Sequence, residues 1–257
     1  MNGARLVYIS QLYSFKIAMV YRAQFALTIL DTFVGMILPI AFITIMYNVS
    51  QGISGWSFYQ LLLLVGLVDF ATIVVYYANP ARINNVLRLG YFDTYLTKPQ
   101  SPILMLLTKT EGMWSFFFGM WSIIVIAFAC ANLSFSMMNL APFIITVLGG
   151  VVTFMLFTAF TGIASYRIFS QANSQNWLMS NILSFGQYPL KIYGNIGAII
   201  FTFAAPIALA SFYPASLLLG KIGILYFFAI FGLEVALSAV FLKASETLLK
   251  GYTSASG

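Results

Sequence analysis

The run LLLLVGLVDFATIVVYYA, residues 61–78, carries a single charge, Asp69, in an otherwise uncharged stretch. Its apolar residues are continuous. The strands of a membrane barrel would alternate apolar with polar, so the run reads as a helix. A helix needs roughly 20 apolar residues to cross the hydrocarbon layer, and runs of this kind recur along the chain. Only 7% of the 257 residues are charged and 61% are hydrophobic, whereas soluble domains carry roughly 25% charge. The sequence therefore implies an all-α, polytopic integral membrane protein, a single transmembrane domain over residues 1–257 with room for about six spans.

Composition also removes whole classes of chemistry. There is no histidine, and Cys130 is the only cysteine. An internal disulfide is excluded, and the usual haem ligands, most zinc sites and every His-based triad are missing. No catalytic set and no metal-ligating set is expected. The net charge of +6 comes from basic residues scattered at helix ends, which fits a cytoplasmic positive bias and not nucleic acid.

The expected spans are 24–48, 60–78, 103–131, 142–165, 174–190 and 223–245. With both termini cytoplasmic, Arg5, Lys16, Arg22, Arg82, Arg88, Lys98, Lys109, Arg167, Lys243 and Lys250 fall inside, leaving Lys191 and Lys221 outside, as the positive-inside rule requires. Residues 192–220 contain Pro206 and Pro214, and proline removes a helix hydrogen bond. They read as a re-entrant hairpin in the outer leaflet before the last span. Such backbone is tolerated only where protein covers it, which implies a second subunit. In residues 1–23, Leu6, Ile9, Tyr13, Ile17 and Val20 share one helical face, the pattern of an amphipathic helix lying in the membrane interface. The tail GYTSASG is small and polar and is expected to be disordered.

Between the second and third spans lies NPARINNVLRLGYFDTYLTKPQ, Asn79 to Gln100, holding Arg82, Arg88, Lys98 and Asp93. Pro80 suits a helix start. Ala81 to Leu89 can form a short helix with Ile83, Val86, Leu87 and Leu89 apolar, and Gly90 suits its stop. Arg82 and Arg88 remain for polar contact. A short amphipathic helix of this kind fits either a groove on a partner protein or the lipid headgroups.

Asp31, Asp69 and Glu234 fall inside expected spans. Ionisable residues at that depth usually face a cavity or a partner. With Trp121 they are candidates for lining a substrate pathway; a structural role in helix packing is the alternative. Trp56, Trp114 and Trp177 fall near span ends, where aromatic belts form. Gly149, Gly150, Gly162 and Ala164 would permit close helix packing.

The segment VLRLGYFDTYLTKPQSPI resembles the cytoplasmic loop of ATP-binding-cassette permeases of the type-2 exporter superfamily, in a subfamily of six-span bacterial permeases. Arg88, Gly90, Asp93, Tyr95, Leu96 and Pro99 carry the match, and Lys98 stands where that subfamily usually has arginine. That exchange keeps the charge but loses a planar bidentate donor. FGQYPLKIYGNIGAIIFTFAAPIALASFYPASLLLG is similar to a second element of the subfamily through Tyr188, Pro189, Pro206, Tyr213, Pro214 and Ala215.

The resemblance implies that residues 79–101 form a cytoplasmic coupling loop that docks on a separate ATPase through Arg82, Val86, Leu87, Arg88, Gly90, Asp93 and Lys98. It implies two ATPase subunits and a second permease, identical or paralogous, in the cell (inner or plasma) membrane. The implied cargo is an amphipathic, in one reading cationic, small molecule or a lipid or peptide. No cofactor is expected on this chain, because its only Gly-Lys pair, Gly220–Lys221, is followed by Ile222 and Ala215 stands where a phosphate loop needs glycine. ATP and Mg would sit on the partner. The alternative is a proton-coupled secondary transporter using Asp31, Asp69 and Glu234.

Overall fold

The computed structural model describes residues 16, 20, 22–50, 53–99, 101–108, 114–168 and 173–253. Among these the chain is helical, without a strand; one isolated bridge pairs Ile53 with Trp56. The helices are α1 (Arg22–Ser50), α2 (Phe58–Tyr77), α3 (Pro80–Arg88), α4 (Asp93–Leu96), α5 (Pro102–Thr108), α6 (Trp114–Ala131), α7 (Leu140–Ile168), α8 (Asn173–Gly186), α9 (Gly194–Ile199), α10 (Ile207–Ala210), α11 (Phe212–Leu218) and α12 (Tyr226–Lys250).

By length and composition, Phe25–Val49, Met137–Tyr166 and Tyr226–Lys250 can each cross a membrane. Leu190–Ala204 and Ile207–Leu218 together would make a fourth span, but they meet at 81°. Phe58–Ile73 and Gly119–Ala131 are apolar but shorter. The division into six spans is thus finer than helix length supports. Across the expected span 103–131 the described residues on both sides of 109–113 are helical, as α5 and α6, and the expected span 174–190 stops being α-helical at Gly186, the end of α8. The expected interfacial helix at 1–23 lies outside the described residues apart from isolated positions.

Small residues set the packing. A Cβ on Gly66 of α2 would lie 2.8 Å from Ile126 Cγ1 and 3.2 Å from the Ile126 backbone nitrogen of α6, so these helices run in close contact. Helix α7 is the central post and touches α2, α3, α8, α10, α11 and α12. Its glycines meet three different neighbours. A Cβ on Gly150 would fall 2.2 Å from the Leu209 carbonyl oxygen, one on Gly149 2.1 Å from Glu234 Oε2, and one on Gly162 2.8 Å from Pro80 Cα. The glycines expected to allow close packing do so, against the bent segment, the last helix and the polar loop respectively.

The bent segment 190–218 turns back on itself. Ser211 Oγ donates to the Gly186 carbonyl at 3.0 Å, while at the far end Asn139 Nδ2 donates to the Leu218 carbonyl at 3.3 Å. Lys221 Nζ then donates to the Gly55 carbonyl at 3.2 Å and lies 4.1 Å from the centroid of the Trp56 ring. These bonds gather residues 53–57, 132–139 and 219–223 at one end of the bundle. Trp56 is buried and packs on Phe212 at 5.6 Å; it is a clamp for this end and not a member of an aromatic belt. Partial burial lowers the pKa of the Lys221 ammonium. The opposite end carries α3, α4 and the chain's last described residues. There the described part of the tail, 251–253, departs from the expected disorder: Tyr252 packs on Phe92 and Tyr166, with centroids 5.0 and 5.9 Å apart.

Candidate functional site

The polar loop at 79–99 is a compact knob. The Asn79 side chain caps α3 by accepting from the Arg82 backbone N–H at 3.0 Å, and Pro80 fills the first helical position, where no N–H is needed. The helix ends at Arg88, and Gly90 takes φ +75°, a conformation that glycine alone adopts without strain. The turn closes through Phe92 N to Val86 O at 3.2 Å and Asp93 N to Gly90 O at 3.1 Å.

This knob is fastened to its own bundle. Ile83, Val86 and Leu87 are buried together with Ala78, Phe92, Tyr95, Leu106 and Ile163. Asn84 Nδ2 donates to Ser165 Oγ at 2.7 Å, and Ser165 Oγ donates in turn to the Gly162 carbonyl at 2.8 Å. Arg82, only 8% exposed, donates through Nη2 to the Leu106 carbonyl at the end of α5. The apolar face that the sequence offered to a partner groove, with Val86 and Leu87 in it, is therefore used internally, as is Arg82. Arg88 and Lys98 are exposed, Lys98 lying 5.9 Å from the Tyr95 ring centroid. Gly90 and Asp93 are half-buried in the turn. The outward surface adds Leu89, Tyr91 and Leu96, which are 63%, 60% and 55% exposed. Tyr91 was missed in the sequence because an aromatic in a loop carries no local sign of which way it faces.

The Asn84–Ser165 bond yields a direct check on this attachment. Asn84→Ala and Ser165→Ala are each expected to lower stability by about 1 kcal/mol. The double variant should lose less than the sum, measured by thermal unfolding of the purified chain in detergent. Additive losses would mean that the bond does not form.

The acids of the expected pathway do not converge. Asp31 is exposed on α1. Asp69 is buried on α2, with its carboxyl facing the Trp121 indole N–H of α6. Glu234 of α12 is 1% exposed against Gly149 of α7, and neither of its carboxyl oxygens has a hydrogen-bond partner among the described residues. Only Asp69 and Trp121 are brought together. Burying an unpaired polar group costs about 1–3 kcal/mol, so Glu234→Leu is expected to raise the thermal midpoint of the purified chain. A lower midpoint would place a partner for this carboxyl outside the described residues.

A cavity of about 580 Å³ opens where α1 meets the bent segment, lined by Phe42, Met46, Ile53, Phe185, Tyr188 and Tyr193 among others. Tyr188 stands edge-on to Phe42 at 6.4 Å. A smaller apolar crevice of about 290 Å³ lies between α2, α6 and α7. Neither is lined by Asp31, Asp69, Trp121 or Glu234. Of the other hairpin residues, Pro189, Pro206 and Pro214 are buried, and the Tyr213 hydroxyl meets Thr202 Oγ1 at 3.1 Å.

A bundle of apolar helices with a fastened polar knob and acids buried between its helices has the make-up of a helical membrane protein. The chain belongs to the ABC-2 transporter family: the model described as "ABC-2 family transporter protein" matches residues 33–256. Membership implies association with ATP-binding-cassette ATPases in general. No curated protein and no solved structure was found to match the chain.

Proposed function

We propose that this chain is the transmembrane subunit of an ATP-binding-cassette exporter, and that the 79–99 knob is the element on which a separate ATPase docks. The observation that carries the reading is the knob's construction. Its inner face is hydrogen-bonded to α5 through Arg82 and to α7 through Asn84, and packs on Gly162 of α7 through Pro80, while Leu89, Tyr91 and Leu96 stand exposed, as do Arg88 and Lys98. An apolar centre with a charged surround is the ordinary make-up of a protein interface. A body so fastened passes a push to α7 without deforming. ATP binding that draws two ATPases together would then bias the bundle between two arrangements.

The connections at 53–57, 132–139 and 219–223 share one end of the bundle, and the knob and the last described residues share the other. This supports six crossings with both termini on the knob's side, which is then cytoplasmic. The bent segment 190–218 would be a re-entrant hairpin, and a second permease, identical or paralogous, would cover the exposed apolar face of α1 and that hairpin. The aromatic cavity beside Tyr188 suits an amphipathic cargo. A proton-driven carrier gains no support, because Asp31, Asp69 and Glu234 face three different surroundings.

The test is purification of the tagged chain from its native membrane, followed by dye efflux from vesicles with cationic and neutral fluorescent dyes. An ATPase bearing a phosphate loop should copurify, and efflux should stop on ATP depletion. If no ATPase copurifies, and efflux survives ATP depletion but stops when the proton gradient collapses, the reading is wrong.

A further inference from the structure

The last turn of α12 reaches the knob. Leu248 and Leu249 pack into the cluster formed by Ile83, Val86, Leu87 and Phe92. Beyond the helix end, Gly251 N donates to the Leu248 carbonyl at 3.3 Å and Tyr252 N to the Leu249 carbonyl at 3.0 Å, so Tyr252 continues the helix's path and does not trail away from it. Its ring stands edge-on to Phe92 and tilted against Tyr166 of α7. Tyr166 Oη also donates to the Thr253 carbonyl at 3.5 Å. The Tyr252 hydroxyl is shielded from solvent beside the Asp93 carboxyl. Burial, and then that carboxyl, push this phenol's pKa up.

One half-buried aromatic ring thus joins the turn after α3, the end of α7 and the end of α12. Aromatic pairs contribute about 0.5–1.5 kcal/mol each beyond their buried area. They hold the ring in one place relative to both partners. The same turn presents Tyr91 and precedes Leu96 on the exposed face. A displacement of the turn must therefore either drag the end of α12 or break these contacts.

We propose that Tyr252 is a positioning residue: a C-terminal strap through which the last helix follows the movement of the ATPase-docking knob. This rests on the docking reading above. It goes beyond that reading in naming a second helix, α12, as a direct follower of the knob and a residue outside the loop as the link.

The experiment uses the permease with its bound ATPase in lipid nanodiscs, in a Cys130→Ser background that leaves no native cysteine. Leu225→Cys, at an exposed position just before α12, is labelled with a maleimide dye with and without Mg-ATP. With Tyr252 in place, nucleotide should change the labelling rate by roughly five-fold or more, the lower range of ordinary site-to-site coupling. Tyr252→Ala should abolish that change while the ATPase stays bound and hydrolyses ATP. Tyr252→Phe, which keeps the ring, should retain most of it. Should Tyr252→Ala fail to insert, Tyr252→Leu keeps apolar volume without the ring and is expected to behave as the alanine variant was meant to.

A Tyr252→Ala or Tyr252→Leu complex with an undiminished nucleotide response overturns the strap. So does a parent protein whose Leu225→Cys labelling ignores nucleotide. Loss of bound ATPase in the alanine or leucine variant alone also overturns it, since Tyr252 would then belong to the docking surface. Absence of bound ATPase in the parent protein sinks the docking reading instead, so the two failures are distinct.

Discussion

Replacing Gly150 with valine is expected to unseat the 207–218 segment from α7 and leave a chain that inserts poorly and unfolds at a much lower temperature. In the middle of a helix, glycine costs about 1 kcal/mol relative to alanine, so propensity alone favours any substitution here. Contact geometry reverses the sign. A Cβ at this position would lie 2.2 Å from the Leu209 carbonyl oxygen, 2.5 Å from its carbon and 2.7 Å from the Ala210 nitrogen. All three are backbone atoms, with no side chain able to rotate aside. Overpacking of an ordinary core costs about 1–3 kcal/mol, and separating two backbones belongs at or above the upper end. Gly150→Ala should therefore cost about 2 kcal/mol net, and valine more. Gly232 of α12 is the internal control, because a Cβ there meets nothing within 4 Å. Gly232→Ala should be neutral or gain up to about 1 kcal/mol. Thermal midpoints in detergent for the three variants decide it. Equal behaviour at Gly150 and Gly232 would mean that α7 and the hairpin do not touch backbone to backbone.

Local punctuation was legible in the sequence and longer-range placement was not. Asn79, Pro80 and Gly90 mark the ends of α3 through chemistry that acts within a few residues, and the structure has α3 at Pro80–Arg88 with Gly90 at positive φ. The break expected near Pro206 appears as the bend between Ala204 and Ile207. The facing of helices was hidden for a physical reason. Lipid is as apolar as a protein interior, so a lipid-facing side and a core-facing side look alike. Leu27, Leu30, Phe33 and Leu38 of α1 are exposed, whereas Leu61, Leu63, Leu64 and Leu67 of α2 are fully buried. Nothing in composition separates them. Asp31 was read as buried on depth alone and is exposed, because depth along a helix says nothing about azimuth.

The burial of Arg82 was hidden for a related reason. An arginine beside proline in a polar loop reads as solvent-facing. Its burial depends on the Leu106 carbonyl, which lies in the next helix and on no local pattern. Tyr252 was missed because a short tail of small residues gives no sign of a docking place. Its place is made by Phe92 and Tyr166, which are far away in sequence.

The burial of Arg82 changes what charge reversal in the loop should do, and it separates two surfaces that the sequence had merged. Arg82→Glu would put a carboxylate against the Leu106 carbonyl in a nearly solvent-free site. Breaking a buried charged contact in this way costs about 3–5 kcal/mol, so this variant should lose the chain's own stability, whether or not an ATPase is present. Val86→Ala and Leu87→Ala should behave likewise, since both side chains are buried in the same cluster. The outward residues should show the opposite pattern. Tyr91→Asp and Leu96→Asp remove exposed apolar anchors and should leave the thermal midpoint of the isolated chain within about 0.5 kcal/mol of the parent. At an interface, losing an anchor costs about 2 kcal/mol or more, which weakens ATPase association by roughly 30-fold. The double variant should retain almost no copurifying ATPase, and Arg88→Glu should act in the same direction with a stronger dependence on salt. The decisive measurement is the pair of readouts on each variant, thermal midpoint alone and ATPase retained on purification. If Val86→Ala loses the ATPase at full stability while Leu96→Asp keeps it, the docking face is the inner one, and the knob must swing away from α7 to be used.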